Sequence, residues 1–118
     1  MGRDATVWRI PFDNIPEGAD LDEYELHHVR IGNLGMVMHL REIIGTLPDA
    51  QDRFVILLHQ VLHHGTLSGD TIERQQVEAL SLEVASLPDG HDADLDDFKT
   101  RFGELCQVAI NHGSNIDF

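Results

Sequence analysis

The sequence predicts a mostly helical α+β fold, with about four helices and two short strands near the amino terminus. Three observations favour this fold class. β-branched and aromatic residues concentrate in two short segments before residue 33, apolar residues recur every three or four positions after it, and turn-forming residues separate the periodic segments. A chain of 118 residues can bury one hydrophobic core, so we expect a single domain over residues 1–118.

The two predicted strands lie on either side of a loop rich in turn formers. TVWRIPF, at Thr6–Phe12, has strand composition, and Pro11 near its end predicts a sheet edge because proline cannot donate to a ladder. YELHHVRI, at Tyr24–Ile31, alternates its apolar side chains with a register break at His27 and His28. This second segment fits a bulged strand, and the frayed start of a helix is the alternative.

Four segments after residue 33 have the period of an amphipathic helix. Asn33 can cap the first with its side-chain carbonyl, and Pro48 ends it. Asp49 is a fair cap for the second, and Gly113 can close the last. The predicted helices are Leu34–Leu47, Arg53–His64, Arg74–Leu87 and about Leu95–His112.

Apolar side chains at helical spacing define the predicted core. We expect Arg41 to lie at the edge of the first stripe, with its aliphatic stem on apolar surface. Cys106 is predicted to be a buried small hydrophobe. The other predicted core residues are Leu34, Val37, Met38, Ile44 and Leu47, then Phe54, Leu57, Leu58, Val61 and Leu62, then Val77, Leu80, Leu82, Val84 and Leu87, then Phe98, Phe102, Leu105, Val108 and Ala109.

The chain is strongly acidic, with 21 acidic residues against 8 basic ones and a formal net charge of −13. Such a charge disfavours binding to nucleic acid or to anionic lipid, and it steers association towards basic surfaces. The economical inference is a basic protein partner. An acidic surface that serves solubility alone is the alternative.

No segment predicts export or membrane insertion. The first residues, MGRDATVWRIPF, lack the basic start and the apolar stretch of a secretory signal, and no run of about 18 apolar residues occurs. The single cysteine, Cys106, cannot form an internal disulfide, which fits a reducing compartment. We therefore expect a cytoplasmic protein.

Two acidic clusters are the candidate partner-binding residues. One lies in the loop before the second strand, and the other lies at the start of the last helix, where the helix dipole favours carboxylates. Either cluster can present carboxylates to a basic groove in place of phosphates, and a solvated surface is the alternative for each. The candidates are Asp20, Asp22 and Glu23 in the first cluster, and Asp92, Asp94, Asp96 and Asp97 in the second.

Eight histidines raise the alternative of a metal site. His59 and His63 are spaced i, i+4 on one predicted helix, and either His64 or His39 is the third candidate ligand. Gln60 follows His59 where a metallohydrolase needs glutamate, so a catalytic zinc is not predicted. The ExxH match that begins at Glu25 occurs once, whereas a di-iron bundle needs two.

No catalytic signature is present. A buried Cys106 is expected to be inert, and neither a GxSxG elbow nor a glycine-rich phosphate loop occurs. Gly65, Gly69 and Asp70 are better explained as a tight turn between helices. We therefore expect a non-enzymatic binding protein without a cofactor.

Three stretches occur one after another between about Gly32 and Phe118, and their order is typical of a known family. They are RIGNLGMVMHLREII, LLHQVLHHGTLSGDTIERQQVEALSLEVASL with its histidine-glycine turn, and AINHGSNIDF at the end. In this order they resemble the small immunity proteins of bacterial polymorphic toxin systems. The ending departs from the Asn-Pro-Ile-x-Phe type of that family, because no proline stands between Asn115 and Ile116.

The resemblance implies an intracellular, non-enzymatic antidote that binds a protein toxin domain and blocks it. It implies no interface residue, because the matching positions look structural: Gly65, Asp70, Leu80, Glu83 and Phe118. A histidine-rich, metal-binding helical protein is the alternative function. A structural or regulatory subunit that forms a homodimer is the third.

Overall fold

A four-stranded antiparallel sheet forms the frame of the protein. The structure is a computed structural model, and it describes residues 2–62 and 71–118. The strands are β1 (Gly2–Trp8), β2 (Glu25–Asn33), β3 (Thr71–Ile72) and β4 (Ile116–Asp117), in the spatial order β2-β1-β4-β3. The predicted α+β class is confirmed, but the described ranges contain four strands where two were expected.

The helices of the described ranges lie between β2 and β4 along the chain and cover one face of the sheet. They are α1 (Leu34–Gly45), α2 (Ala50–Arg53), α3 (Arg74–Ala85) and α4 (Ala93–His112), with a π-helical segment at Leu57–Val61 and 3₁₀ turns at Phe12–Asn14 and Leu21–Glu23. Their buried side chains join one face of the sheet in a single apolar cluster. No helix of the described ranges is long and apolar enough to cross a bilayer.

The first strand differs from its prediction in extent and in position. β1 ends at Trp8, three residues before Pro11, so the missing N–H of the proline never meets the ladder. Because β1 has β2 on one side and β4 on the other, the predicted sheet-edge position is wrong.

The second strand confirms the bulged-strand interpretation and excludes the frayed helix. β2 pairs with β1 in an antiparallel ladder in which Ala5 faces Val29. Register shifts place one extra β2 residue at Leu26 and another at Ile31, so the breaks lie on either side of the predicted one.

Helix α1 begins where the sequence predicts, and it buries Val37 and Ile44 as predicted but not Leu34 or Met38. The side-chain oxygen of Asn33 accepts a hydrogen bond from the N–H of Met36 at 2.9 Å, which confirms the predicted cap. Gly32 has φ +141°, and a Cβ there would come within 2.7 Å of Met36, so the strand-to-helix turn requires glycine. The buried residues are Val37, Leu40 and Ile44, while Leu34 and Met38 are about half exposed, contrary to prediction.

The second predicted helix is interrupted. Asp49 is left-handed, with φ 56°, and its side chain makes no cap hydrogen bond, so the predicted cap is wrong. α2 ends after one turn, and the chain bends at Phe54 before the π-helical segment. The carboxylate of Glu83 accepts the N–H groups of Ile56 and Leu57 at 3.2 and 3.0 Å, and a continuous helix would direct those groups to its own carbonyls.

The last two helices agree with prediction except at Leu82. That side chain is 68% exposed, because α3 packs on α4 through the stripe that contains Val77, Leu80 and Val84. α4 begins two residues earlier than predicted, since the Asp92 carboxylate caps the N–H groups of Asp94 and Leu95. It ends at Gly113, which has φ 71° as expected for a glycine cap.

Candidate functional site

The outer face of the sheet carries no helix within the described ranges, and β1 runs through its middle. Successive side chains of a strand point to opposite faces. Arg3, Ala5 and Val7 are buried under the helices, so the side chains between them, Thr6 among them, face outward. This face is open to a partner.

A cleft of about 660 Å³ lies on this outer face. Its aromatic wall consists of Trp8 and Phe12, whose ring centroids are 5.2 Å apart and whose planes are tilted by 51°. Pro11 precedes the 3₁₀ turn that carries Phe12, and this turn folds the ring back towards the strand. Phe12 is 49% exposed, so the pair forms an accessible apolar surface.

Acidic side chains surround the aromatic pair. Asp4, Asp13 and Asp117 line the cleft. Asp4 lies 3.3 Å from Arg30 in an exposed ion pair, and the Asp117 carboxylate accepts a hydrogen bond from the Thr71 hydroxyl at 2.7 Å. The result is an apolar centre with a carboxylate rim, an arrangement suited to a partner that presents an apolar side chain among basic ones.

The first acidic cluster belongs to the loop that joins β1 to β2. Asp20, Asp22 and Glu23 are all exposed, and the Asp20 carboxylate accepts the N–H of Asp22 at 3.1 Å. A backbone hydrogen bond from Arg9 to Tyr24, at 2.6 Å, closes the base of this loop next to Trp8. The cluster therefore lies in the loop that also carries Phe12.

Each carboxylate of the second acidic cluster has a partner within the chain. Asp92 caps α4, and Asp94 lies 3.3 Å from His39. Asp96 accepts the N–H of Gly90 at 3.0 Å, and Asp97 pairs with Arg101 at 3.2 Å. These local bonds, and the helix dipole, give a structural reason for aspartates at the amino terminus of α4. Their role in partner binding stays a prediction.

A mixed group of metal ligands forms where α1 meets the start of α4. One ligand atom each from His39, Asp92 and Asp94 lies within 4.8 Å of the other two. Of the ligands predicted from sequence, His59 is exposed and does not join this group, while His63 and His64 lie outside the described residues. The group brings in His39, a candidate third ligand of the prediction, with two carboxylates instead of further histidines.

The cysteine is buried as predicted. Cys106 is fully buried in α4, and this burial raises the pKa of its thiol to about 12. A thiol with such a pKa is protonated at neutral pH and is a poor nucleophile.

The aromatic pair is the part of the site that the sequence prediction missed. Trp8 is the only tryptophan of the chain, and tryptophan is a common binding residue at interfaces. The strand composition around it does not predict which face of the sheet its side chain occupies. The face of the sheet that Trp8 occupies depends on the pairing of β1 with β2 and with β4. In the pair of β1 and β4, Thr6 lies opposite Asp117. No local pattern specifies the second of these pairings, which joins residues more than a hundred positions apart.

No family model, curated protein or solved structure matches the chain. Its function therefore has to be argued from the chemistry of this surface.

Proposed function

We propose that this protein is a non-enzymatic immunity protein that neutralises a cognate bacterial toxin by binding it in the cytoplasm. The observation that carries the proposal is the exposed cleft in which Trp8 and Phe12 are surrounded by Asp4, Asp13 and Asp117. The order of sequence features from Gly32 to Phe118 supports the same class.

The composition of the cleft fits the energetics of a tight protein complex. Tryptophan and other large side chains supply most of the binding free energy at interfaces when a partner excludes water from them. Trp8 and Phe12 are placed to act as such anchors, and a two-χ aromatic side chain loses little conformational entropy on binding. Slow dissociation of the toxin would come from this pair.

The charge of the protein fits a basic toxin domain. A net charge of −13 and the carboxylate rim would attract a basic surface and speed its association. Of the two acidic clusters, Asp20, Asp22 and Glu23 are favoured for direct contact, because they are exposed in the loop that also carries Phe12. Asp92, Asp94, Asp96 and Asp97 would contribute mainly to the long-range field, since none of them lines the cleft.

The proposal is tested by toxicity and rescue. Proteins retained by the immobilised chain from native-host lysate, at low and at high salt, would be expressed singly in a bacterial host. We expect one basic protein to arrest growth and co-expression of this chain to restore it, with an association rate that falls steeply as salt rises. A retained protein that is harmless when expressed alone would reject the immunity function.

Trp8→Ala is expected to weaken the complex about 30-fold, which corresponds to about 2 kcal/mol of binding free energy. The change would appear in the dissociation rate, because the anchor acts after contact is made. Leu82→Ala is the matched control, since Leu82 is the most exposed large apolar residue described and lies on α3, away from the cleft. Equal affinities of the two variants, measured by surface plasmon resonance, would place the interface elsewhere.

A second candidate function, binding of a transition metal ion, is favoured by the His39, Asp92 and Asp94 group. Imidazole and carboxylate are suitable ligands for zinc, and a bound ion would connect α1 to the start of α4. Ligand binding to the folded state alone raises stability, by about 2.7 kcal/mol at a free zinc concentration 100 times Kd.

Zinc is therefore expected to raise the melting temperature of the wild-type protein but not that of His39→Ala. His59→Ala, which removes an exposed histidine outside the group, should respond as the wild type does. Untagged protein is required, because a polyhistidine tag binds zinc itself. If zinc leaves the wild-type melting temperature unchanged, the metal candidate is rejected.

A further inference from the structure

A second cleft, of about 280 Å³, adjoins the acidic one. Trp8, Pro11, Asn115 and Asp117 line both clefts, but the second also has basic side chains in its lining. Three side chains that carry or can carry positive charge line it: Arg9, Arg74 and His112. Such a concentration is unexpected in a protein with 21 acidic and only 8 basic residues.

The other basic side chains of the chain are mostly occupied. Hydrogen bonds or ion pairs engage five of the eight, namely Arg3, Arg30, Arg53, Lys99 and Arg101. In the part of the chain that the structure describes, the side chains of Arg9, Arg41 and Arg74 have no hydrogen-bond or ion-pair partner. Two of these three guanidinium groups line the same cleft.

Contacts around the cleft hold its wall in place. The Asn115 side chain accepts the backbone N–H of Arg74 at 2.8 Å, which ties the start of α3 to the segment after α4. On the opposite side, Nδ1 of His112 lies 2.8 Å from the Ser114 hydroxyl, so the imidazole is also held by a local partner. The basic groups therefore come from three parts of the chain, and the start of α3 is hydrogen-bonded to the segment that follows α4.

We propose that this cleft binds a phosphate monoester group. The guanidinium groups of Arg9 and Arg74 can offer paired N–H donors to phosphate oxygens. The hydrogen bond between His112 and Ser114 uses one donor of that pair, which leaves the other available to the ligand. Trp8 offers an apolar wall for the substituent of the ester. The small volume suits a single phosphate with a compact substituent, and the inference stands independently of the toxin complex.

One lining residue opposes the ligand and provides a sharp test. Asp117 also faces the cleft, with one carboxylate oxygen bonded to Thr71. Its negative charge repels a phosphate dianion, as does the net charge of −13. Affinity for inorganic phosphate is accordingly expected in the millimolar range, and Asp117→Asn, which keeps an acceptor for Thr71, should tighten it about threefold.

The experiment is a titration with inorganic phosphate, phosphoserine and adenosine monophosphate at constant ionic strength. Trp8 is the only tryptophan, so its fluorescence and the indole N–H resonance report on the cleft, while backbone amide resonances report on the rest of the chain. We expect saturable binding of inorganic phosphate and of phosphoserine, and weaker binding of adenosine monophosphate, because its nucleoside is not a compact substituent. Acetate serves as the monoanion control and should bind more weakly.

The variants decide whether binding occurs in this cleft. Arg9→Ala and Arg74→Ala should each weaken phosphate binding about fivefold, as expected for loss of a charge-assisted hydrogen bond. Arg41→Ala is the matched control, because Arg41 also lacks a partner in the described ranges but lies on α1, outside the cleft. The proposal is overturned if amide resonances detect no saturable binding, if acetate binds equally well, or if all three arginine variants bind alike.

Discussion

Arg3→Ala is expected to lower the free energy of unfolding by about 3 kcal/mol, the largest effect we expect of a single polar residue. Arg3 is only 8% exposed, and its guanidinium donates to the carbonyls of Val61 and Gln60 at 2.6 and 2.8 Å. These carbonyls lie at the end of the π-helical segment, where helical partners run out. The same group stands 4.5 Å from the ring centroid of Phe118. Removing it would leave two acceptors without their donor.

Two further variants separate the contributions of Arg3. Arg3→Lys keeps the charge but loses the forked donor geometry, so about half of the loss is expected. Arg3→Met keeps the aliphatic stem and loses every donor, so it should approach the alanine variant apart from the packing of the stem. Urea denaturation would measure all three. A loss below about 1 kcal/mol for Arg3→Ala would show that water replaces the guanidinium without cost.

Glu83→Ala is expected to cost about 2 kcal/mol, because it removes the acceptor of the Ile56 and Leu57 N–H groups. Glu83→Gln keeps one acceptor oxygen and should lose about half as much. Glu78→Ala, an exposed substitution on the same helix, is the control and should stay within about 0.5 kcal/mol of wild type. Similar stabilities of the Glu83→Ala and Glu78→Ala variants would contradict the capping role.

Glu83 should also give the protein a characteristic pH dependence. Burial raises the pKa of its carboxyl above the ordinary value of 4.5, an effect partly opposed by the two backbone hydrogen bonds. The folded state then binds more protons than the unfolded state between 4.5 and the raised pKa, so stability falls as pH rises through this window. The stability difference between wild type and Glu83→Gln should therefore shrink from about pH 5 upward and then become constant. A difference that grows with pH would show that the hydrogen bonds outweigh burial.

We propose different tasks for the two clefts beside Trp8. The proposed ligand of the acidic cleft, with Phe12 and Asp13, is a basic protein, and that of the cleft with Arg9 and Arg74 is a phosphate group. Because Trp8 lines both, a bound phosphate would alter the surroundings of the proposed anchor for the toxin. Phe12 lines only the acidic cleft and Arg74 lines only the other, so substitutions at these two residues separate the two sites.

Local signals in the sequence determined the fold class and several boundaries. Asn33 and Gly113 were predicted correctly as caps, because a cap depends on one side chain or one φ value and on amides within a few residues. The burial of Phe98, Phe102 and Leu105 was also correct, since a long periodic segment with bulky side chains leaves one choice of buried face. The net charge and the composition also follow from the sequence alone.

Only the tertiary structure decided the features that depend on distant partners. Glu83 bends the chain at Phe54 from a helix more than twenty residues away, and α4 selects the face of α3 that leaves Leu82 in solvent. The two-residue strand β4 has no sequence signal of its own, because its stability comes from the ladders it completes with β1 and β3. Strand β4 brings Asp117 to the cleft that Trp8 lines, so the residues of the candidate site could not be predicted from local sequence patterns.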